Sequence, residues 1–159
     1  MKSRISFFGL LALPLFLSAC NAEPVEPAAC DPSPLSTDRP SGLKEAEGWA
    51  SEGEIWALIF QPDADIEVDS PVKIVWKMTG GSGDLRLSAE HADGTRVQPT
   101  WGPTAHGPSS WQRPGQEWGS EFVFPKAGCW RITAARFLND PGKAVTGEVD
   151  VEVAAGGSD

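Results

Sequence analysis

Between residues 101 and 119 the chain reads WGPTAHGPSSWQRPGQEWG, nineteen positions that hold three tryptophans, a histidine, two serines, an arginine and a glutamate. Serine becomes a nucleophile when a base stands within hydrogen-bond reach and an acid orients that base. Ser109 or Ser110, His106 and a carboxylate supply those residue types. The Gly-x-Ser-x-Gly elbow is missing, however, and serine beside proline and glycine is ordinary loop composition. No residue is therefore assigned a catalytic role, and the chain is not expected to be an enzyme. The same stretch can instead bind. Ordering so much loop costs entropy that buried indole surface must offset, so most of the tryptophan area is expected to pack onto the domain, leaving one ring free. Arg113 can pair with Glu117 or stack on an indole face. Two readings stay open: a structural lid, or a lid that also presents His106, Arg113, Glu117 and Trp111 as a binding surface.

Metal chemistry could draw on His91 and His106 with Met78 as a soft ligand, or on Asp63, Asp65, Glu67 and Asp69 for calcium. Neither set has ligand spacing. Met78 falls on an apolar strand face, His91 beside a turn, and the acidic series alternates with Ala64, Ile66 and Val68 like a charged edge strand. No metal and no other cofactor is assigned; a metal-handling role for His106 and nearby carboxylates is kept as the alternative. The run Gly80-Gly81-Ser82-Gly83 lacks the lysine and the following helix of a phosphate loop and reads as a turn.

The elements that must position these residues are short and extended. Residues 54–60 (EIWALIF) form a near-continuous apolar run, as in a strand covered on both faces. In residues 72–79 (VKIVWKMT), Val72, Ile74, Trp76 and Met78 share one face, opposite Lys73, Val75, Lys77 and Thr79. The glycine run then leads into residues 85–90, where Leu85, Leu87 and Ala89 alternate with polar residues, a hairpin pattern. Residues 95–98, 121–124 and 130–135 follow, and Val149, Val151 and Val153 close the list. No helical period is seen. About seven short strands joined by turns predict an all-β, immunoglobulin-like β-sandwich with a long Trp/Pro-rich loop.

The chain opens with Lys2 and Arg4, an apolar run from Ile5 to Leu17, and the sequence Leu17-Ser18-Ala19-Cys20. The run is too short for a bilayer-spanning helix and reads as a signal peptide, residues 1–19. Its ending resembles the bacterial lipobox, in which a diacylglycerol is attached to the cysteine that becomes the first residue. The resemblance implies lipidation of Cys20 and anchoring to the cell membrane or the outer membrane, with the domain on the extracytoplasmic side; the alternative is an ordinary signal peptide. Removing Lys2 and Arg4 leaves 11 basic against 22 acidic residues, a formal charge of −11. That balance excludes nucleic acid as a partner and makes acyl chains, rather than a basic patch, the hold on the membrane.

Residues 20–53, rich in Pro, Glu, Ala, Ser and Gly, read as a tether; residues 54–154 read as the folded domain and 155–159 as a flexible tail. With Cys20 lipidated, Cys30 and Cys129 are left, and two thiols outside the cytoplasm are expected to pair. Two free thiols are the alternative.

Several motifs stand out together: residues 55–58 (IWAL), residues 73–80 (KIVWKMTG), Trp101-Gly102-Pro103 with His106, Trp111-Gln112-Arg113-Pro114-Gly115 with Glu117-Trp118-Gly119, and Phe124-Pro125 with Gly128-Cys129-Trp130. Together they resemble a family of secreted or lipid-anchored bacterial domains of unknown function. That resemblance covers most of residues 54–153 and implies an early cysteine paired with the Gly-Cys-Trp cysteine, but carries no activity. Address and fold together lead to the expectation of a non-enzymatic, lipid-anchored module that binds or scaffolds an envelope protein or glycan.

Overall fold

The computed structural model describes residues 31–36, 43–61, 65–107, 109–137 and 144–156. Among them are strands β1 (Leu35–Ser36), β2 (Lys44–Ala50), β3 (Ile55–Ile59), β4 (Ile66–Glu67), β5 (Pro71–Met78) and β6 (Leu85–His91). The remaining strands are β7 (Arg96–Val97), β8 (Trp101–His106), β9 (Gln116–Val123), β10 (Gly128–Phe137) and β11 (Ala144–Ala154). The described residues contain no helix. The strands form one curled sheet in the order β7-β6-β10-β11-β2-β3-β5-β9-β8, to which β1 and β4 add at β2 and β11. All neighbours are antiparallel except β4, which runs parallel to the end of β11.

Strand β2 makes the corner. Lys44 to Gly48 pair with β3, whereas Trp49 and Ala50 pair with Glu148 and Gly147 of β11. The close approach requires glycine: a Cβ on Gly48 would stand 2.3 Å from the Glu148 carbonyl oxygen, and one on Gly147 would stand 2.9 Å from Ile55 Cδ1.

Curling brings the inner faces of the two halves together in one core. Ile55, Val72, Ile74, Trp76, Met78, Phe122 and Phe124 from one half meet Leu85, Leu87, Trp130, Ile132, Val149 and Val151 from the other, all buried. Each such side chain taken out of water contributes about 1.5–3 kcal/mol. Trp76 satisfies its indole by donating to Ser120 Oγ at 2.8 Å. Met78, fully buried, is core as its strand face predicted. β3 is buried along its whole length, as expected for a strand covered on both faces.

Three sequence expectations need correction. The glycine run after β5 does not make a hairpin: β5 pairs with β3 and β9, and β6 pairs with β10 and β7, so the turn crosses from one half of the sheet to the other. Arg136, buried in the core, holds that crossover by donating to the carbonyls of Gly80 at 2.6 Å and Gly83 at 3.3 Å. Its pKa is lowered by burial. The presumed tether, residues 20–53, contains β2, so folding begins before residue 54; Ala46 is buried in the main core, and Glu45, on the opposite face, is buried beneath Trp111. The long Trp/Pro-rich loop is shorter than residues 101–119, since β8 and β9 claim both ends and only 107–115 is left between them.

Residues 1–30, including the signal-peptide positions, Cys20 and Cys30, lie outside the described residues, as do Asp63 and residues 157–159 of the tail.

Candidate functional site

The outer face of β2-β3-β5-β9-β8 is built by simple alternation. Where Ile74 and Trp76 point into the core, Lys73, Val75 and Lys77 must point out. Register then aligns side chains across five strands. One rung runs Glu47, Trp56, Lys77, Glu117, His106; the next runs Glu45, Leu58, Val75, Gly119, Thr104. Directly opposed residues of this kind interact across the ladder.

Residues 109–115 strap over this face. Trp111 is 3% exposed and packs with Trp56, Leu58 and Val75 in a second apolar cluster, which is why Val75 and Lys77 are buried although they face away from the main core. Its indole donates to Glu45 Oε2 at 2.6 Å. Arg113 donates to the other oxygen of the same carboxylate through Nε at 2.8 Å and also through Nη2, while its guanidinium lies 3.6 Å from the centre of the Trp56 ring. Lys77 reaches up from the sheet: Nζ donates to the carbonyls of Trp111 at 2.5 Å and Arg113 at 3.1 Å, and stands 3.3 Å from Glu117. Two acids and two bases thus balance beneath the strap, with their hydrogen-bonding capacity largely used. Burial of charge is tolerable only under those conditions.

Glu117 gathers the remaining chemistry. Ser109 Oγ donates to its Oε2 at 2.8 Å, and His106 Nδ1 lies 3.3 Å from its Oε1 and 3.1 Å from the Gly107 carbonyl. Ser109 and His106 therefore meet the same carboxylate side by side instead of forming a serine–histidine–acid series, which is the arrangement a nucleophile needs.

The sequence-predicted residues are brought together only in part. His106 and Glu117 are neighbours, and Trp111 and Arg113 converge on Glu45. Arg113 does not pair with Glu117; it goes to Glu45, and Glu117 goes to Lys77. Nor do His106, Arg113 and Glu117 point outward together, because Glu117 is buried. The expected stacking of Arg113 on an indole is met at Trp56. Trp111 is an anchor instead of a platform. The free ring is Trp101, 51% exposed on β8 and leaning over Gly119, where a Cβ would stand 3.3 Å from it. Sequence reasoning missed Glu45, which sat in the presumed tether, and the roles of Lys77 and Lys73. The alternation in KEAEGWA was the signal for the first, and the face opposite Ile74 and Trp76 the signal for the others.

Beside the strap a cleft of about 300 Å³ opens over Leu58 and Val75, bounded by Trp111, Phe60, Lys73, His106 and Ser110. Lys73 Nζ lies 4.9 Å from the centre of the Phe60 ring. No carboxylate among the described residues is within ion-pair distance of it. Its cross-strand neighbour Glu121 accepts instead from Thr100 Oγ1 at 3.0 Å.

Elsewhere, His91 is partly buried. It is 2.9 Å from Asp93, 3.1 Å from the Ala127 carbonyl and tilted against Trp130. The Lys126 ammonium beside Asp93, with help from Thr95 and His91, holds the Asp93 carboxyl far below the usual carboxylate range. Among the described residues no three His, Cys, Asp or Glu side chains cluster as metal ligands. Cys129 is half-buried on β10, is not a free thiol, and lines a cleft with Asp31, the residue after Cys30. No family model, no curated protein and no solved structure matches this chain.

Proposed function

We propose that this chain is a non-enzymatic, lipid-anchored extracytoplasmic module that binds or scaffolds a component of the bacterial envelope, and that the outer face beside the strap is its binding surface. One observation carries the reading. The ion network of Glu45, Arg113, Lys77 and Glu117 fixes the strap while leaving Lys73, the outer edge of His106 and the Ser110 hydroxyl turned to an apolar cleft. A preformed apolar floor with a few placed polar groups is the usual composition of a binding site. Sharing of one carboxylate by Ser109 and His106 speaks for binding over catalysis.

The lipobox-like Leu17-Ser18-Ala19-Cys20 supports the anchor on Cys20. Pairing of Cys30 with Cys129 is supported by Asp31 lying at the Cys129 cleft, and this pairing keeps the domain near its membrane. The two halves of the curled sheet, facing each other across one core, are read as an immunoglobulin-like sandwich, in line with the resemblance to lipid-anchored domains of unknown function.

Membrane display tests the function. The chain is anchored in vesicles, offered a detergent extract of the envelope, and compared with Lys73→Glu and Trp101→Ala variants. A component retained by the parent chain and lost from both variants is expected; equal retention by all three overturns the assignment of this face.

A further inference from the structure

The occupant of this cleft can be specified further, on the basis that the outer face is the binding surface. The mature chain carries a formal charge of −11, yet the cleft is not acidic. Glu117 is neutralised by Lys77, and Glu45 by Arg113. Lys73 remains with its ammonium held over the Phe60 ring and no acid within ion-pair distance among the described residues. Beside it stand the His106 ring, 42% exposed with Nε2 unbonded, and the Ser110 hydroxyl, likewise unbonded among the described residues. Glu117 and Ser109 also line the cleft but bond each other, so one cation and two unbonded hydrogen-bonding groups are left over a floor of Leu58, Val75 and Trp111. That set is complementary to a carboxylate joined directly to an apolar side chain, and charge-assisted hydrogen bonds would hold it.

The surroundings decide the size of the occupant. Lys73 lies on a rung that runs Phe60, Lys73, Glu121, Trp101 across the face. Phe60 is 37% exposed and Trp101 51%. Three strand spacings separate the two rings, about 14 Å, the length of roughly four residues of extended chain. A small free acid would fill the cleft and leave the Trp101 end bare. A polypeptide whose last residue sits in the cleft would cover it with the residues that precede.

We infer that the cleft beside the strap takes the C-terminal carboxylate of an envelope polypeptide ending in an apolar residue, with Lys73 as the carboxylate's counter-charge and Trp101 under the preceding residues. Capture of a C-terminal carboxylate is an established mode of peptide recognition.

The test uses a fluorescein-labelled five-residue peptide ending in Leu-Phe, as the free acid and as the C-terminal amide, in anisotropy titrations with the whole exported chain. The free acid is expected to bind at least tenfold more tightly than the amide. Lys73→Met, which keeps the stem over Phe60, is expected to remove that preference, and Trp101→Ala to weaken both forms by several-fold. Circular dichroism of each variant checks folding, since both positions are exposed. Equal binding of acid and amide, a preference that survives Lys73→Met, or octanoate competing as strongly as the peptide itself overturns the inference. Capture of a glycan by the displayed chain also overturns it while leaving the binding-module reading standing; loss of all envelope capture with peptide binding intact does the reverse.

Discussion

Arg113 grips Glu45 across 68 positions of sequence, donating from Nε at 2.8 Å while Trp111 donates to the other oxygen of the same carboxylate. A strand from the acidic N-terminal region and a strap from the tryptophan-rich region are thereby closed on each other. Glu45→Ala strands the guanidinium and an indole N–H at once. The expected loss is about 3 kcal/mol, toward the lower end for breaking a buried pair because Arg113 is itself partly exposed. Urea titration measures it, and a red shift of tryptophan emission reports release of Trp111.

Lys77 and Glu117 form the second pair, with side chains 8% and 3% exposed. Lys77→Met alone leaves a buried carboxylate, and Glu117→Leu alone leaves a buried ammonium; each is expected to cost about 3–5 kcal/mol. Together they remove both charges, so the double variant is expected to be more stable than either single one. A double-mutant cycle in denaturant gives the coupling, and additive losses would contradict it.

Asp93 predicts a pH dependence. Its folded pKa is lowered, first by the Lys126 hydrogen bond and then by Thr95 and His91. The fold thus favours the carboxylate, so this contribution is fully present above the ordinary aspartate value near 3.8 and fades as pH falls toward the folded value. Between about pH 5 and 7 the parent chain is expected to melt above Asp93→Asn by a constant margin, which narrows below about pH 4. Thermal scans across pH check the sign.

Gly48 predicts a steric limit. A methyl group there meets the Glu148 carbonyl, a backbone atom that cannot swing aside. Gly48→Ala is expected to cost about 3 kcal/mol as overpacking, whereas Gly94→Ala, with open space around it but a φ of 85°, is expected to cost about 1 kcal/mol through backbone strain. Calorimetry of the two variants separates them.

Mass spectrometry of the protein under non-reducing conditions is expected to show Cys30 joined to Cys129. Cys129→Ser together with Cys30→Ser is expected to lower stability by up to about 4.7 kcal/mol, the loop-closure value for about 100 residues. Two free thiols in the parent chain would contradict the pairing.

Much of the sheet was legible because alternation is a local signal. The inward set of β5 and the terminal valines of β11 follow from a period of two. The strap was not legible in detail: nothing near Arg113 states that its carboxylate is Glu45, since that pairing exists only after β2 docks on β3. Strand β2 itself was hidden because its outward glutamates and Gly48 match the composition of a solvated tether; the burial of Glu45 depends on Trp111 and Arg113, far along the chain. The glycine run after β5 shows another limit, for turn chemistry reports that a chain reverses but not which sheet it reverses into. Among the three tryptophans of residues 101–119, composition suggested that one ring would stay outside, yet only register places Trp101 on the edge strand and Trp111 under the strap.

The corner at β2 also governs how the chain can be assembled. β2 stands mid-sheet, with β3 following it directly on one side and the final strand, β11, on the other, joined where Ala50 meets Gly147. Such sequence-distant closure belongs to topologies that fold in milliseconds to seconds rather than microseconds. Until β11 arrives, Trp49 and Ala50 of β2 lack their strand partner, and their amides and carbonyls are available to a neighbouring chain. Docking of β11 between β10 and β2 is therefore the event that joins the two halves of the sheet.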